Sequence, residues 1–400
     1  MKKIIIVVFL ILSSLMYFTQ DTINGTIIHN EIEREYILYI PDIYSGNTPA
    51  PLVLNFHGYG GSASGQMWYG DFRSIADSAG FLVVHPQGTI FEGNTHWNVG
   101  GWTIGSTVDD VGFTNALLDS LSVDYNIDPD RIYSAGMSNG GYMSFLLACQ
   151  LSDRIAAIAS VTGSMTPETY DEANPQHPTP ILQFHGTADS HVPYNGTSWS
   201  LPINDVLDFW VDFNNCDPIP QITALPDIDP NDGSTVEHLV YDEGNNGVNV
   251  EHFMIVGGEH TWPGSAYGGE GTNNDINASE EIWNFFSRYD IDGLIEQSAA
   301  SQDIQNTPVN LQLSNHPNPF NPTTTISFSI PEKSNVDLII HNIKGQKIKT
   351  LINENLTKGS HSITWNGKDE HGISVSSGLY FYKIVINNDF EVTGKGLLLK

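Results

Sequence analysis

A serine set among glycines, Gly136-Met137-Ser138-Asn139-Gly140-Gly141, constrains this chain more than any other stretch. It follows an apolar run, Arg131 to Ala135, with the pattern of a strand, and opens an apolar segment, Tyr142 to Cys149, with the pattern of a helix. Glycines two places before and after the serine allow a strand-to-helix turn too tight for a Cβ. Such a turn, a nucleophile elbow, lifts the hydroxyl clear of the backbone where a base and a substrate can both reach it. The helix that begins there aims unpaired N–H groups at the same point. Without that flanking pattern the same residues would be an ordinary polar turn.

The surrounding rhythm supplies the context. Residues 22–48 alternate apolar and polar as an opening hairpin. Leu52–Phe56, Phe81–Val84, Ile155–Val161, Ile181–Phe184 and Val250–Val256 are short apolar runs between turn residues, as buried parallel strands are. Helical segments at Phe72–Ala79, Val111–Leu121 and Glu280–Tyr289 alternate with them. The expected fold class over residues 22–292 is therefore α/β: a mostly parallel sheet with helices on both faces. Right-handed crossovers then put the elbow at the carboxyl edge of a central strand, where open α/β sheets hold their ligands.

At each end the grammar changes. Met1-Lys2-Lys3 and the apolar run Ile4–Met16 read as a secretory signal over residues 1–20, too short for a comfortable membrane span. No later segment is apolar enough to span a bilayer. Residues 293–315 lose the α/β rhythm and read as a linker. In residues 316–400, candidate strands at Thr324–Ile330, Val336–Asn342, His361–Trp365, Leu379–Ile386 and Gly394–Leu399 indicate a small β-sandwich. Charge shifts at the same boundary: the net −30 resolves into nine lysines against seven acids in residues 316–400 and seven basic against 39 acidic side chains before them. So acidic a surface repels nucleic acid and disfavours it as a partner, and suits a soluble exported protein.

A serine hydroxyl needs a base within hydrogen-bond reach and a third group to orient that base. On a sheet of this kind the acid and then the histidine follow the serine in chain order. Asp189, in His185-Gly-Thr-Ala-Asp189 after one strand, and His260, in the glycine-bearing loop Gly257–Gly264 after another, fit that order. Asp242 and Asp275 are rival acids, Glu259 is a neighbour able to perturb His260, and His57 and His185 suit loop-bracing. Asp109 and Asp110 precede a helical segment and suit N-capping. Two N–H donors are needed for the oxyanion: Asn139, just after the serine, and Tyr59 in His57-Gly-Tyr-Gly-Gly61, with Gly58 as the alternative. Tyr59, Trp68, Trp97, Trp102 and Trp262 lie near these loops and could stack on an aromatic acid or a sugar ring, with Tyr59, Trp102 and Trp262 the candidate substrate-facing ones and a core role the other reading. Asp227–Gly233 resembles a calcium loop, but its glycine falls one place late and the twelfth position is His238, so the segment reads as a hairpin loop. No metal or cofactor is expected. Cys149 and Cys216 are the only cysteines; in an exported protein they can join two helices, and otherwise they are buried thiols.

Four motifs, Leu52 to Gly61, Gly136 to Tyr142, His185 to Tyr194 and His260 to Gly264, resemble the secreted polyhydroxybutyrate depolymerase and feruloyl esterase family of α/β-hydrolases (carbohydrate esterase family 1-like) over roughly residues 25–290. The resemblance implies Ser138 as nucleophile, Asp189 as orienter and His260 as base, esterase chemistry, and a Cys149–Cys216 pairing. Feruloyl or acetyl esters of polysaccharide are the first expected substrates, polyhydroxyalkanoate or other polyester oligomers the second; a non-catalytic adhesion protein on the same fold is a different-class alternative. Pro317 to Ile326, Trp365 to Asp369 and Ser377 to Tyr382 resemble a type IX secretion sorting domain with an FlgD-like immunoglobulin fold. That implies the type IX secretion machinery as partner and an extracellular or cell-surface destination reached through a Gram-negative periplasm.

Overall fold

The computed structural model describes residues 21–295 and 314–399, apart from 317, 319, 331–332, 343, 345 and 387–389. The expected signal and most of the expected linker lie outside the described residues. Two compact units divide the chain, one up to Gln297 and one from Ser298.

In the first unit β1 (Asp21–His29), β2 (Ile32–Ile40), β3 (Ala50–Phe56), α1 (Ala63–Tyr69), α2 (Arg73–Ala79) and β4 (Leu82–Pro86) lead into a small hairpin, β5 (Thr89–Phe91) and β6 (Asn94–His96). There follow α3 (Asp110–Asp124), β7 (Ile127–Met137), α4 (Asn139–Gln150), β8 (Ala157–Val161), α5 (Pro167–Asp171), β9 (Ile181–Gly186) and α6 (Ile203–Asn214). The unit closes with β10 (Gln221–Ala224), β11 (Thr235–Tyr241), β12 (Val250–Val256), α7 (Ala278–Phe286) and the short pair β13 (Tyr289–Asp290) and β14 (Gly293–Leu294). Ten strands form one sheet in the order β1-β2-β4-β3-β7-β8-β9-β12-β11-β10. From β4 to β12 neighbours run parallel, and antiparallel pairs extend both ends. This is the α/β-hydrolase fold. Among the described residues no helix is long and apolar enough to cross a membrane.

Strand alternation splits the core over two faces. Leu52, Leu54 and Phe56 of β3 face one layer with Phe113 and Leu117 of α3, Phe145 of α4 and Trp210 of α6. Val53 faces the other with Val83, Tyr133, Phe184, and Ile282 and Phe286 of α7. The helices follow from their sequences. α6 buries Ile203, Val206, Leu207, Trp210 and Val211, one stripe at helical spacing, and α4 is buried from Asn139 to Cys149 as befits a helix under the sheet's centre. Asp109 caps α3 by accepting the Gly112 N–H at 2.7 Å. Asp110 does something else: it is wholly buried against Arg34 at 2.6 Å, accepts the Asn98 N–H at 2.7 Å, and the guanidinium lies 3.8 Å from the centroid of Phe113.

The second unit pairs a three-stranded sheet, β15 (Ser314–His316), β16 (Thr324–Ile330) and β19 (Gly359–Trp365), with a four-stranded one. The latter runs β18-β17-β20-β21, from β17 (Ser334–Asn342), β18 (Lys347–Leu356), β20 (Gly378–Ile386) and β21 (Phe390–Leu398). Ile326 and Trp365 from one sheet share a core with Leu338, Tyr382 and Ile384 from the other, which makes a β-sandwich.

Candidate active site

The elbow is built by close packing around one strained residue. β7 ends at Met137, α4 begins at Asn139, and Ser138 between them has φ 52° and ψ −118°. A non-glycine residue there stores roughly 1–3 kcal/mol of strain, held by its surroundings. A Cβ on Gly136 would overlap Gly140, and one on Gly140 would overlap the Phe56 carbonyl of β3, so neither position accepts a side chain. The Ser138 N–H is tied to Val161 O at 2.8 Å and its carbonyl accepts from Gly141 and Tyr142, but its hydroxyl does not cap the helix. Among the described residues that hydroxyl has no hydrogen bond, to His260 or elsewhere. Such contacts are often loose before a substrate binds. Below the elbow Thr162, also at φ 52°, donates its hydroxyl to the Met137 sulfur at 3.2 Å.

Asp189 and His260 meet because their loops are laced together. Thr187 N–H donates to Ile255 O at 2.9 Å, Ala188 N–H to Gly258 O at 3.0 Å, and Gly257 N–H to Thr187 Oγ1 at 2.9 Å. A Cβ on Gly186 would overlap the Gly258 carbonyl, so this approach requires glycine. His260 Nδ1 then donates to Asp189 Oδ2 at 2.7 Å, leaving Nε2 as the free, basic nitrogen of a ring still 17% exposed. Asp189 Oδ1 accepts the N–H groups of His191 and Val192, each at 2.9 Å. Burial opposes ionisation of Asp189, but the bond to His260, the His260 charge, the Val192 N–H and His185 outweigh it and hold the carboxyl below the usual aspartate range. His185, fully buried, donates Nε2–H to Val192 O at 2.8 Å and takes a bond from Gln183 at Nδ1, so it braces the loop that carries Asp189. The ring of His191 stacks on His260 at 5.0 Å.

The glycine loop after β3 completes the edge. His57 Nε2 accepts the Gly88 N–H at 2.9 Å, which puts the ring's proton on Nδ1, donated to the Gly58 carbonyl at 2.7 Å. Burial pushes the His57 pKa down to about 4, against the smaller effect of the Gly58 bond, so the ring is neutral. Gly58 packs against the elbow: a Cβ there would lie 3.4 Å from Ser138 Cβ. Asn139, at the first position of α4, has no intrahelical acceptor for its N–H. No acceptor for the Tyr59 N–H occurs among the described residues. Trp97 links loop and elbow, its Nε1 donating to His57 O at 2.9 Å while the Asn139 side chain holds its backbone. Because β3, β7, β9 and β12 run parallel, the segments carrying Tyr59, Ser138, Asp189 and His260 all leave the same sheet edge.

Other expectations fare differently. Trp262 is 1% exposed, packs edge-on to Phe72 and donates its indole N–H to Ser279, so it is a core residue rather than an exposed aromatic. Trp102 is half-buried, edge-on to Tyr142 and Trp199, and Tyr59 is exposed. The rival acids are engaged elsewhere, Asp242 with Gln221 and Asp275 with the N–H groups of Ile228 and Asp229. The disulfide is absent: Cys149 and Cys216 are both free buried thiols. Cys149 closes α4 inside the core, and Cys216 Sγ points instead to the Val248 carbonyl at 3.7 Å. Burial raises their pKa values to about 12 and about 11. The Asp229 and Asp232 carboxylates of the calcium-like loop accept from groups of their own loop and from Asn274.

With this geometry in hand, residues 110–202, which include Ser138 and Asp189, match the Phospholipase/Carboxylesterase family model, and residues 314–389 match the FlgD Ig-like domain. The chain is 32% identical over 238 residues to feruloyl esterase B of Piromyces equi, covering 57% of this chain and 42% of that one. It is 27% identical over 265 residues to the bifunctional acetylxylan esterase/xylanase XynS20E of Neocallimastix patriciarum, covering 66% and 35%. It is also 27% identical over 281 residues to feruloyl esterase D of Neurospora crassa, covering 66% and 87%. The chain thus spans less than half the length of the first two of these relatives. Among solved structures, the acetyl xylan esterase from Aspergillus awamori is similar with a TM-score of 0.46 at 14% identity, covering 66% of this chain and 98% of that one.

Proposed function

We propose that the first unit is a serine carboxylic-ester hydrolase acting on feruloyl or acetyl esters of polysaccharides. The observation that carries this is the 2.7 Å Asp189–His260 bond on the sheet edge from which the strained Ser138 also rises. Ser138 Oγ attacks the ester carbonyl carbon while His260 Nε2 takes the hydroxyl proton. Asp189 stabilises the imidazolium and keeps the ring's other proton on Nδ1. The N–H groups of Asn139 and Tyr59 receive the oxyanion, where a single well-placed donor is worth roughly 10²–10³ in rate. As the tetrahedral species collapses, the ester C–O bond breaks and His260 returns its proton to the leaving alcohol. Water, deprotonated by His260, then cleaves the acyl-enzyme to free acid and regenerated Ser138. The named feruloyl and acetylxylan esterases among the relatives support this substrate class.

Export is part of the same proposal. The signal-like residues 1–20 suit passage of the inner membrane, and the FlgD Ig-like second unit suits a type IX sorting tail that delivers the enzyme outside the cell. Ser138→Ala should abolish turnover of p-nitrophenyl acetate and fluorophosphonate labelling while leaving the circular dichroism spectrum intact. Retained turnover would remove the nucleophile, and an unlabelled wild type would favour a non-catalytic role. A panel of methyl ferulate, acetylated xylan and hydroxybutyrate trimer separates the substrate classes.

A further inference from the structure

Trp68 and Tyr267 are 49% and 64% exposed, yet they touch: their rings meet edge to face at 6.3 Å although they lie on segments far apart in sequence. Scattered exposed aromatics need no explanation, but these two wall one cavity of about 320 Å³, together with Asp71, Ser265 and Asn277. That volume is at the lower end of small-ligand clefts, roughly 300–1,000 Å³. The platform is rigid. Arg73 lies over the Trp68 ring at 3.8 Å and is itself held by Asp71 through two bonds of 2.9 and 2.7 Å, so Asp71 has its charge satisfied while about half of Trp68 stays exposed. Ser265 Oγ donates to Tyr69 O at 2.7 Å, and Trp262 N–H to Tyr69 Oη at 3.2 Å, fastening the two walls together.

One wall continues the segment that carries His260, and the other is α1 with the turn after it, which follows the glycine loop of Tyr59. His260 must hand its proton to the leaving alcohol, so the alcohol half of an ester lies on the His260 side of Ser138. Flat aromatic faces with hydroxyl and amide groups beside them suit a sugar ring, whose C–H face is apolar and whose edge is polar. Residues 1–315 carry 39 acidic against seven basic side chains, a field that repels an anionic polymer and favours a neutral one. Resting on the esterase reading above, we infer that Trp68 and Tyr267 form a subsite for a neutral sugar residue of the alcohol portion of the substrate.

Trp68→Ala and Tyr267→Ala are to be assayed on pairs of esters sharing an acid: feruloylated arabinoxylo-oligosaccharide against methyl ferulate, and acetylated xylo-oligosaccharide against p-nitrophenyl acetate. KM for the sugar ester should rise about ten-fold, as loss of an aromatic contact residue does, with the small ester within about two-fold of wild type. Equal losses on both members of a pair, or an unchanged KM on the sugar ester, would overturn the subsite. Independently of turnover, full-length Ser138→Ala titrated with xylo-oligosaccharide should show a saturable change in tryptophan fluorescence that Ser138→Ala/Trp68→Ala lacks. No saturable change, or one that survives in the double variant, counts against the subsite. Saturable binding by a wild type that cleaves no ester would strike the esterase reading alone.

Discussion

The side chain of Asn139 grips Trp97 at both ends of its backbone, accepting the Trp97 N–H at 2.7 Å and donating to the Trp97 carbonyl at 3.1 Å. Trp97 in turn donates its indole N–H to the His57 carbonyl. The residue proposed to lend its own backbone N–H to the oxyanion therefore also holds, through its side chain, the loop that lends the other.

Asn139→Ala keeps the backbone donor and removes the grip. It should lower kcat about 10²-fold, the cost of a misplacement near 1 Å, with KM little changed. Steady-state kinetics on p-nitrophenyl acetate check this, and a kcat near wild type would mean the loop is held without that side chain.

Asp189→Asn keeps the shape of the acid but removes the charge that orients His260. Its kcat should fall about 10⁴-fold, because an amide nitrogen facing Nδ1 favours the wrong tautomer. Thermal melts showing a folded protein, set beside single-turnover rates, separate this from unfolding.

Acid should destabilise the first unit through buried histidines. Burial pushes His57 down to about 4 and His85 and His252 to about 3, whereas in the unfolded chain each titrates near 6.5. Below that pH the unfolded chain takes up protons that the folded one refuses. Their contribution is complete above about pH 7 and is lost as the pH falls from about 6.5 towards 3–4, at up to about 4 kcal/mol per pH unit for three protons. Urea midpoints should fall steadily as the pH is lowered from 7 to 4, and a flat profile contradicts this.

Arg34→Met should cost about 3–5 kcal/mol, since it strands the Asp110 carboxylate in the core. Arg34→Met/Asp110→Asn should recover a large part of that loss, because it removes both charges. Denaturant unfolding of the two variants measures the difference.

What the sequence disclosed was what local pattern controls. The elbow is contiguous, so its glycines and flanking periodicities announce it, and the apolar runs of β3, β4, β9 and β12 need no partner to be recognised. Chain order singles out Asp189 and His260, but not the lacing of Gly186 against Gly258 that brings them together. The Arg34–Asp110 pair joins residues 76 apart and leaves no local trace. Trp262 misleads because in a loop no periodicity separates a core aromatic from a substrate-facing one. The Asp227–Gly233 segment reads as a hairpin loop and does join antiparallel β10 and β11, but those two strands are too polar to announce their own bounds, and β18 is missed because its lysines and asparagines hide a strand packed on one side only.

The unbridged Cys149 and Cys216 have a practical consequence. Both sulfurs are shielded and protonated, so thiol reagents should find little to attack. Reducing agent should therefore leave the thermal melt of the protein unchanged, with no cross-link between these two residues to break.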